Sequence, residues 1–272
     1  MTEYEGIVRL GVFAGVLLLM MLLEAVLPRR QRRHDRLLRW PANFAVVLMN
    51  TVLVRLFFPA AAVGFAVLMS ERGVGLLNQL EVAKPVAILL SMVALDLSIY
   101  LQHVLFHRIP ALWRIHRMHH TDLDIDVTTG NRFHPLEILL SMLIKCIVIG
   151  ILGAPAVAVL LFEIFINAGA MFNHANLRLP GTIDRALRLV IVTPDMHRIH
   201  HSVRPAETDS NFGFNLSWWD RLFGTYIEQP ADGHEAMVIG IQELQTIDEL
   251  RINRMLALPF VKAPANTRGN RG

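Results

Sequence analysis

The sequence predicts an all-α, multi-pass integral membrane bundle of about three spans plus a helical hairpin, with a histidine-rich helical cap on the cytoplasmic side. Three observations predict it. Apolar residues make up 53% of the 272 and charged ones only 18%, with a mean hydropathy of +0.42, outside the range of soluble domains. The apolar residues are gathered into long runs punctuated by proline and glycine, and arginine is concentrated just after the first of them. Finally, eight of the twelve histidines fall into two short windows at helical spacings.

The elements follow in order. Ile7 to Leu27 forms the first span, with Arg9 and Glu24 only near its ends, and it is long enough to cross a hydrocarbon core of roughly 30 Å. Glu3 and Glu5 precede this run and the cations follow it, the reverse of a cleaved leader, so it stays as an anchor. Pro28 closes the helix. Arg29, Arg30, Arg32, Arg33, Arg36 and Arg39 then mark a cytoplasmic loop, which puts the N-terminus outside. His34 lies in this loop and is set aside. Ala42 to Phe58 is the second span, ending near Arg55, which can snorkel to the interface. Ala60 to Met69 is too short to cross alone and is expected to lie at the outer interface.

Lys84-Pro85 opens the third long helix, proline being tolerated in a first turn. It is apolar to Leu95. Beyond that, Asp96, Tyr100, His103 and His107 recur on one face and arrive at the cytoplasmic surface. Ile109-Pro110 ends the helix, and a short segment carries His116, His119 and His120. Asp122, Asp124 and Asp126 begin like a calcium loop but lack its glycine and terminal glutamate. Leu136 to Ile149 and Ala156 to Met171, separated by Gly150, Gly153 and Pro155, form a hairpin whose two ends bring His134 and His174 to the same surface. Ile183 to Val192 has the pattern of a surface-lying segment. Thr193-Pro194-Asp195 reads as a helix start, so His197, His200 and His201 occupy the first turns of a fixed helix. The aromatics from Phe212 to Tyr226 suit a docked cap; from Gln229 the chain is polar, and Ala263 to Gly272 is expected to fray.

The histidine spacing has a geometric meaning. His103 and His107 stand one helical turn apart, while His116, His119 and His120 fall within an arc of roughly 100°. Imidazole suits zinc, copper, iron and nickel, and eight of them are too many for one ion but right for two with an open position each. A two-metal site is therefore expected, against the alternative of ordinary core or interfacial histidines. Asp96 and Tyr100 are placed to orient a ligand or line the substrate path, and Asp195 to support the third cluster. The single Cys146 excludes a disulfide framework and a thiolate site. A pI near 9.4 could suggest nucleic acid, but no basic stripe carries interleaved aromatics, and topology explains the charge. There is no internal repeat, phosphate loop or G-x-S-x-G elbow.

A metal site pressed against a bilayer has lipid chains as its obvious substrate. Unactivated C–H bonds need an oxidant, for which iron with dioxygen is the usual biological choice. From about Leu89 to Tyr226 the chain resembles the fatty acid hydroxylase and sterol desaturase superfamily. The resemblance lies in His103-x-x-x-His107, His116-x-x-His119-His120, His197-x-x-His200-His201, and the trailing Asn211-Phe212-Gly213 and Trp219-Asp220-Arg221-Leu222-Phe223-Gly224-Thr225 stretches. It implies membrane anchor helices and a basic loop over 1–83, a hydroxylase-like catalytic domain over 84–228 and a polar tail over 229–272. It further implies two irons held by the eight box histidines, with His134 and His174 as further ligands, and reductive activation of dioxygen. Electrons are expected from a separate ferredoxin- or cytochrome-type donor with its reductase. The expected reaction is hydroxylation of a fatty acyl, sterol or related lipid C–H bond. Desaturation by the same apparatus is the alternative, and a histidine-rich divalent-metal carrier is the rival from another class. Such an enzyme would sit in the cell (inner) membrane if the source is bacterial, with active site and C-terminus cytoplasmic.

Overall fold

Every element of the computed structural model, which describes residues 2–80 and 82–261, is helical; among these residues the only extended pairings are three isolated bridges. The long helices are α1 (Thr2–Val26), α2 (Arg36–Phe57), α5 (Lys84–Arg108), α7 (Pro135–Leu152) and α8 (Ala156–Asn173). Between α2 and α5 lie α3 (Ala61–Glu71) and the single turn α4 (Leu76–Gln79). The cap is made of α6 (Pro110–His120), α9 (Gly181–Leu187), α10 (Pro194–His200) and the short α11 (Pro205–Thr208), α12 (Trp218–Leu222), α13 (Gly233–Ala236) and α14 (Ile252–Ala257). By length and composition five stretches can cross a membrane: α1, the α2–α4 stretch, α5, α7 and α8. This is the expected set of three spans and a hairpin. The hairpin arms are longer than their uninterrupted apolar runs, 18 residues each, because Pro135 starts α7 and Gly153 ends it in the left-handed conformation at φ 67°.

Small residues set the packing. Ala62, Val63 and Ala66 of α3 meet Leu95 and Ile99 of α5, Met142 and Ile149 of α7, and Val159, Phe162 and Ala170 of α8 in one buried cluster. Alanines at such crossings let helix backbones approach closely. The expected interfacial segment α3 is thus part of the bundle wall. Where the chain leaves α3, Gly75 presses on the α7–α8 turn: a Cβ there would lie 2.1 Å from the Gly153 nitrogen.

Charges inside the spans find one another. Arg9 of α1 and Lys145 of α7 both pair with Glu163 of α8, the lysine at 2.8 Å. Both arms of the hairpin therefore carry a charge in the middle of an apolar run, each with a partner on another helix. The basic loop is likewise used internally. Arg36 pairs with the buried Glu24, Arg29 with Asp195, and Arg39, fully buried, with Asp122 and Asp126; Arg32 and Arg33 remain exposed. α2 begins at Arg36, earlier than the apolar run, because Asp35 caps it by accepting the Leu37 N–H. Residues 263–272, expected to fray, lie outside the described residues.

Candidate metal centre

α1, α5 and α8 finish, and α2 and α7 start, at one end of the bundle, and the cap closes over that end. Chain direction alone therefore brings the histidines together. His103, His107, His116, His120 and His200 form one group and His119, His174, His197 and His201 a second; within each, the potential ligand nitrogens all lie within 4.8 Å of one another. All nine are buried. The eight box histidines are thus gathered with His174, and the adjacent pair His119-His120 splits between the groups, as does His200-His201. Neighbouring residues on a helix point about 100° apart, so each doubled histidine faces two centres at once.

The orientation of the rings is set from behind. Nδ1 of His103 donates to the Phe212 carbonyl (2.8 Å), that of His200 to Ser210 (2.8 Å) and that of His174 to Ala170 (2.7 Å). His116 turns Nδ1 to the Glu137 carboxylate at 2.7 Å, and His107 Nδ1 lies 3.4 Å from Asp209. These contacts leave the Nε2 atoms of His103 and His200 bare, buried with no hydrogen-bond partner, while His201 is buried with neither ring nitrogen hydrogen-bonded. His174 Nε2 lies 3.0 Å from His119 Nε2 and 3.1 Å from His197 Nε2, and His116 and His120 bring their Nε2 atoms to 3.3 Å. A metal binding two imidazoles at about 2.1 Å spaces their nitrogens by about 3 to 3.4 Å, so the observed separations suit two ions.

Electrostatics keep the ligands in the form a metal needs. Burial holds His174 down to about 4 and His200 to about 3. Burial, reinforced by neighbouring histidines, depresses His119, His120, His197 and His201 as well. Burial thus favours the neutral form of these six imidazoles, with lone pairs available. Nine nitrogen donors without thiolates fit iron as well as zinc.

His134 does not join them. Its Nδ1 accepts the Leu136 N–H as the N-cap of α7, and its Nε2 donates to the Leu256 carbonyl, so neither nitrogen is free to coordinate. The residues expected to support the ligands act one step further out. Asp96 accepts from Asn215, Leu216 and Trp219, and Tyr100 meets Thr225 through its hydroxyl, so both fasten the 211–225 segment to α5. Asp195 is engaged by Arg29 and Arg198, with His234 at 3.6 Å. The aromatic stretch bears on a ligand directly, since the buried Asp220 accepts the Phe212 and Gly213 N–H groups and Phe212 in turn holds His103. Glu137 and Asp209, the carboxylates nearest the ligands, were not singled out by sequence. The signal for Glu137 was its place in the first turn after His134-Pro135, at the mouth of the centre.

The loop after α6 is bound to α2. Arg39 reaches Asp122 at 2.6 and 2.7 Å and Asp126 at 2.6 Å, while Asp124 accepts the Arg33 and His34 N–H groups. The three aspartates that resembled a calcium loop are clamps for the basic loop. On the membrane side, Phe133 stacks on His119 (4.4 Å between centroids, 11° between planes), and Phe214 packs against His103, His174 and His197. Phe214 belongs to the apolar cluster of α3, α5, α7 and α8 and Phe133 packs against it, so the centre adjoins hydrocarbon-like surroundings.

Residues 88–225, half of the chain, match the fatty acid hydroxylase family. An ornithine lipid hydroxylase from Rhizobium tropici is 33% identical over 146 residues, 53% of this chain and 42% of that protein. The alkylglycerol monooxygenase of Xenopus tropicalis is 26% identical over 145 residues, 52% of this chain and 30% of that protein. The human alkylglycerol monooxygenase is 24% identical over 163 residues, 58% and 34% respectively. The chain therefore spans less than half the length of these curated relatives. No solved structure matches it.

Proposed function

The chain belongs to the fatty acid hydroxylase family, and we propose that it is a membrane-bound di-iron oxygenase that hydroxylates a lipid C–H bond with dioxygen and externally supplied electrons. The observation that carries this reading is the pair of buried histidine groups whose bare nitrogens converge at 3.0–3.3 Å at the end of a bundle of candidate spans. His103, His107, His116, His120 and His200 would hold one iron and His119, His174, His197 and His201 the other. The irons, when bound, supply the reductive activation of dioxygen that attack on an unactivated C–H bond requires. The protein's own contribution is placement. Carbonyls and carboxylates behind five of the rings fix which nitrogen faces inward, burial favours the neutral form of His174 and His200, and the enclosed site excludes bulk water.

An aliphatic chain would approach along the apolar cluster that ends in Phe133 and Phe214. The relatives' names describe hydroxylation of an ornithine lipid and mono-oxygenation of alkylglycerols, which favours hydroxylation of a polar lipid's hydrocarbon over desaturation. The exposed Arg32 and Arg33 favour a cytoplasmic position for this end of the bundle, with the N-terminus outside. Electrons then come from a soluble or peripheral ferredoxin- or cytochrome-type donor and its reductase.

The test is iron content and Mössbauer spectroscopy on iron-enriched protein in mild detergent, beside His119→Ala. About two irons per chain with a coupled di-ferric signal, lost in the variant, and oxygen uptake that depends on lipid and reductant are expected. Tight zinc with no iron uptake and no oxygen chemistry would refute the proposal.

A further inference from the structure

An imidazole ligand contributes no negative charge, so two divalent ions would bring four positive charges into a buried site with nothing in the nine candidate rings to balance them. Ions in such surroundings require counter-charges close by. Most buried acids near the centre are already committed. Asp122 and Asp126 are paired with Arg39, and Asp195 is paired with Arg29 and Arg198.

Glu137 is different. Its side chain is 4% exposed, its Oε1 meets His116 Nδ1 at 2.7 Å, and its Oε2 is buried with no hydrogen-bond partner. Among the described residues no lysine or arginine pairs with it. An oxygen buried without a partner is costly, and a cation on the far nitrogen of the His116 ring would lower that cost. Among the described residues the other carboxylate beside a ligand is Asp209, 3.4 Å from His107. Both contacts are to the five-histidine group. In the four-histidine group the ring of His174 is oriented by the Ala170 carbonyl, a neutral acceptor.

We infer that Glu137 is a positioning residue that, through His116, supplies the counter-charge of the five-histidine position and makes it the tighter of the two metal positions. This rests on the two-metal reading above. Glu137 anchors His116 so that Nε2 is the coordinating atom, and its negative charge raises the basicity of that nitrogen. The four-histidine position, with one ligand fewer and no unpaired carboxylate behind it among the described residues, is the more easily emptied.

Cobalt(II) tests this without turnover, since its visible spectrum is intense in four-coordinate and weak in five-coordinate surroundings. The full chain in detergent, stripped of metal, is titrated with cobalt and then challenged with a chelator. Two ions bind the unaltered chain, and the one that survives the chelator gives the weak, five-coordinate spectrum. Glu137→Gln, which keeps an acceptor for His116 but removes the charge, lowers the affinity of that ion about 10- to 100-fold and leaves the other within about twofold. Glu137→Asp, which restores the charge at shorter reach, recovers part of the loss. Equal weakening of both ions in Glu137→Gln, or of neither, overturns the role of Glu137. An intense four-coordinate spectrum from the ion retained by the unaltered chain overturns the proposal whether or not any variant folds. Failure of the unaltered chain to bind two cobalt ions would instead remove the two-metal reading beneath it.

Discussion

Replacing Arg39 by methionine tests whether the arginine run is structural. The guanidinium of Arg39 is fully buried, donates to both oxygens of Asp122 and to one of Asp126, and is joined there by Trp40, whose indole N–H donates to Asp126 at 3.0 Å. Although burial alone would raise it, the Asp122 carboxyl is drawn down to about 2 by this arginine. Methionine has nearly the right length and no charge, so the substitution leaves two buried carboxylates without the cation they share. Breaking a buried pair from one side costs about 3–5 kcal/mol, which for a chain of this size corresponds to a fall in melting temperature of roughly 6–20 °C. Thermal unfolding of the detergent-purified chain at pH 7 measures it. Arg39→Lys keeps a charge but not the two-pronged contact, and should fall between. If Arg39→Met melts within about 2 °C of the unaltered chain, Arg39 does not hold the 121–131 loop, and its charge serves only the membrane surface.

Two further outcomes separate the roles assigned to particular histidines. His134→Ala should leave two metal ions per chain and cost about 1 kcal/mol as a lost helix cap, whereas His174→Ala should lose one ion; metal analysis with a thermal melt distinguishes them. The metal-free chain should be destabilised by acid. The unfolded chain takes up protons on histidine from pH 6.5 downward, but native His174 and His200 do so only near 4 and 3. Stability is therefore level above pH 6.5 and falls below it, with each such histidine adding a slope of up to about 1.4 kcal/mol per pH unit until its native value is reached. Denaturant titrations of stripped protein at pH 7, 6 and 5 check this, and a flat profile would contradict the buried, neutral ligands.

The spans, the hairpin and the three histidine boxes were legible because their signals are local. Proline and glycine punctuate the apolar runs, and i, i+3 and i, i+4 spacing fixes which imidazoles share a helix face. The distinction between His134 and His174 was not, since both flank the hairpin at the same surface. A local cue existed. His134 precedes Pro135, the N-cap position of α7, where a side-chain acceptor is claimed by the helix's own N–H groups. His174 ends α8, where its Nδ1 can donate back to Ala170 one turn earlier and leave Nε2 facing the centre. The two ends of a helix thus dispose of the same side chain in opposite ways.

What sequence could not apportion was charge. A run of six arginines beside a span reads as a topological marker because each residue is judged by its neighbours, yet Arg39 meets an acid 83 positions away and Arg29 one 166 positions away. The same applies to Lys145 and Glu163, each hidden in a run that is apolar on average. Once these long-range pairs are assigned, the acids near the histidines separate into two kinds. Asp122, Asp126 and Asp195 answer arginines and hold the cap to the spans, which they do with or without metal. Glu137 answers no arginine or lysine among the described residues and faces a ligand. A cation in the adjoining centre would give that buried carboxylate the counter-charge that no arginine or lysine supplies, which is the physical basis of the role proposed for it.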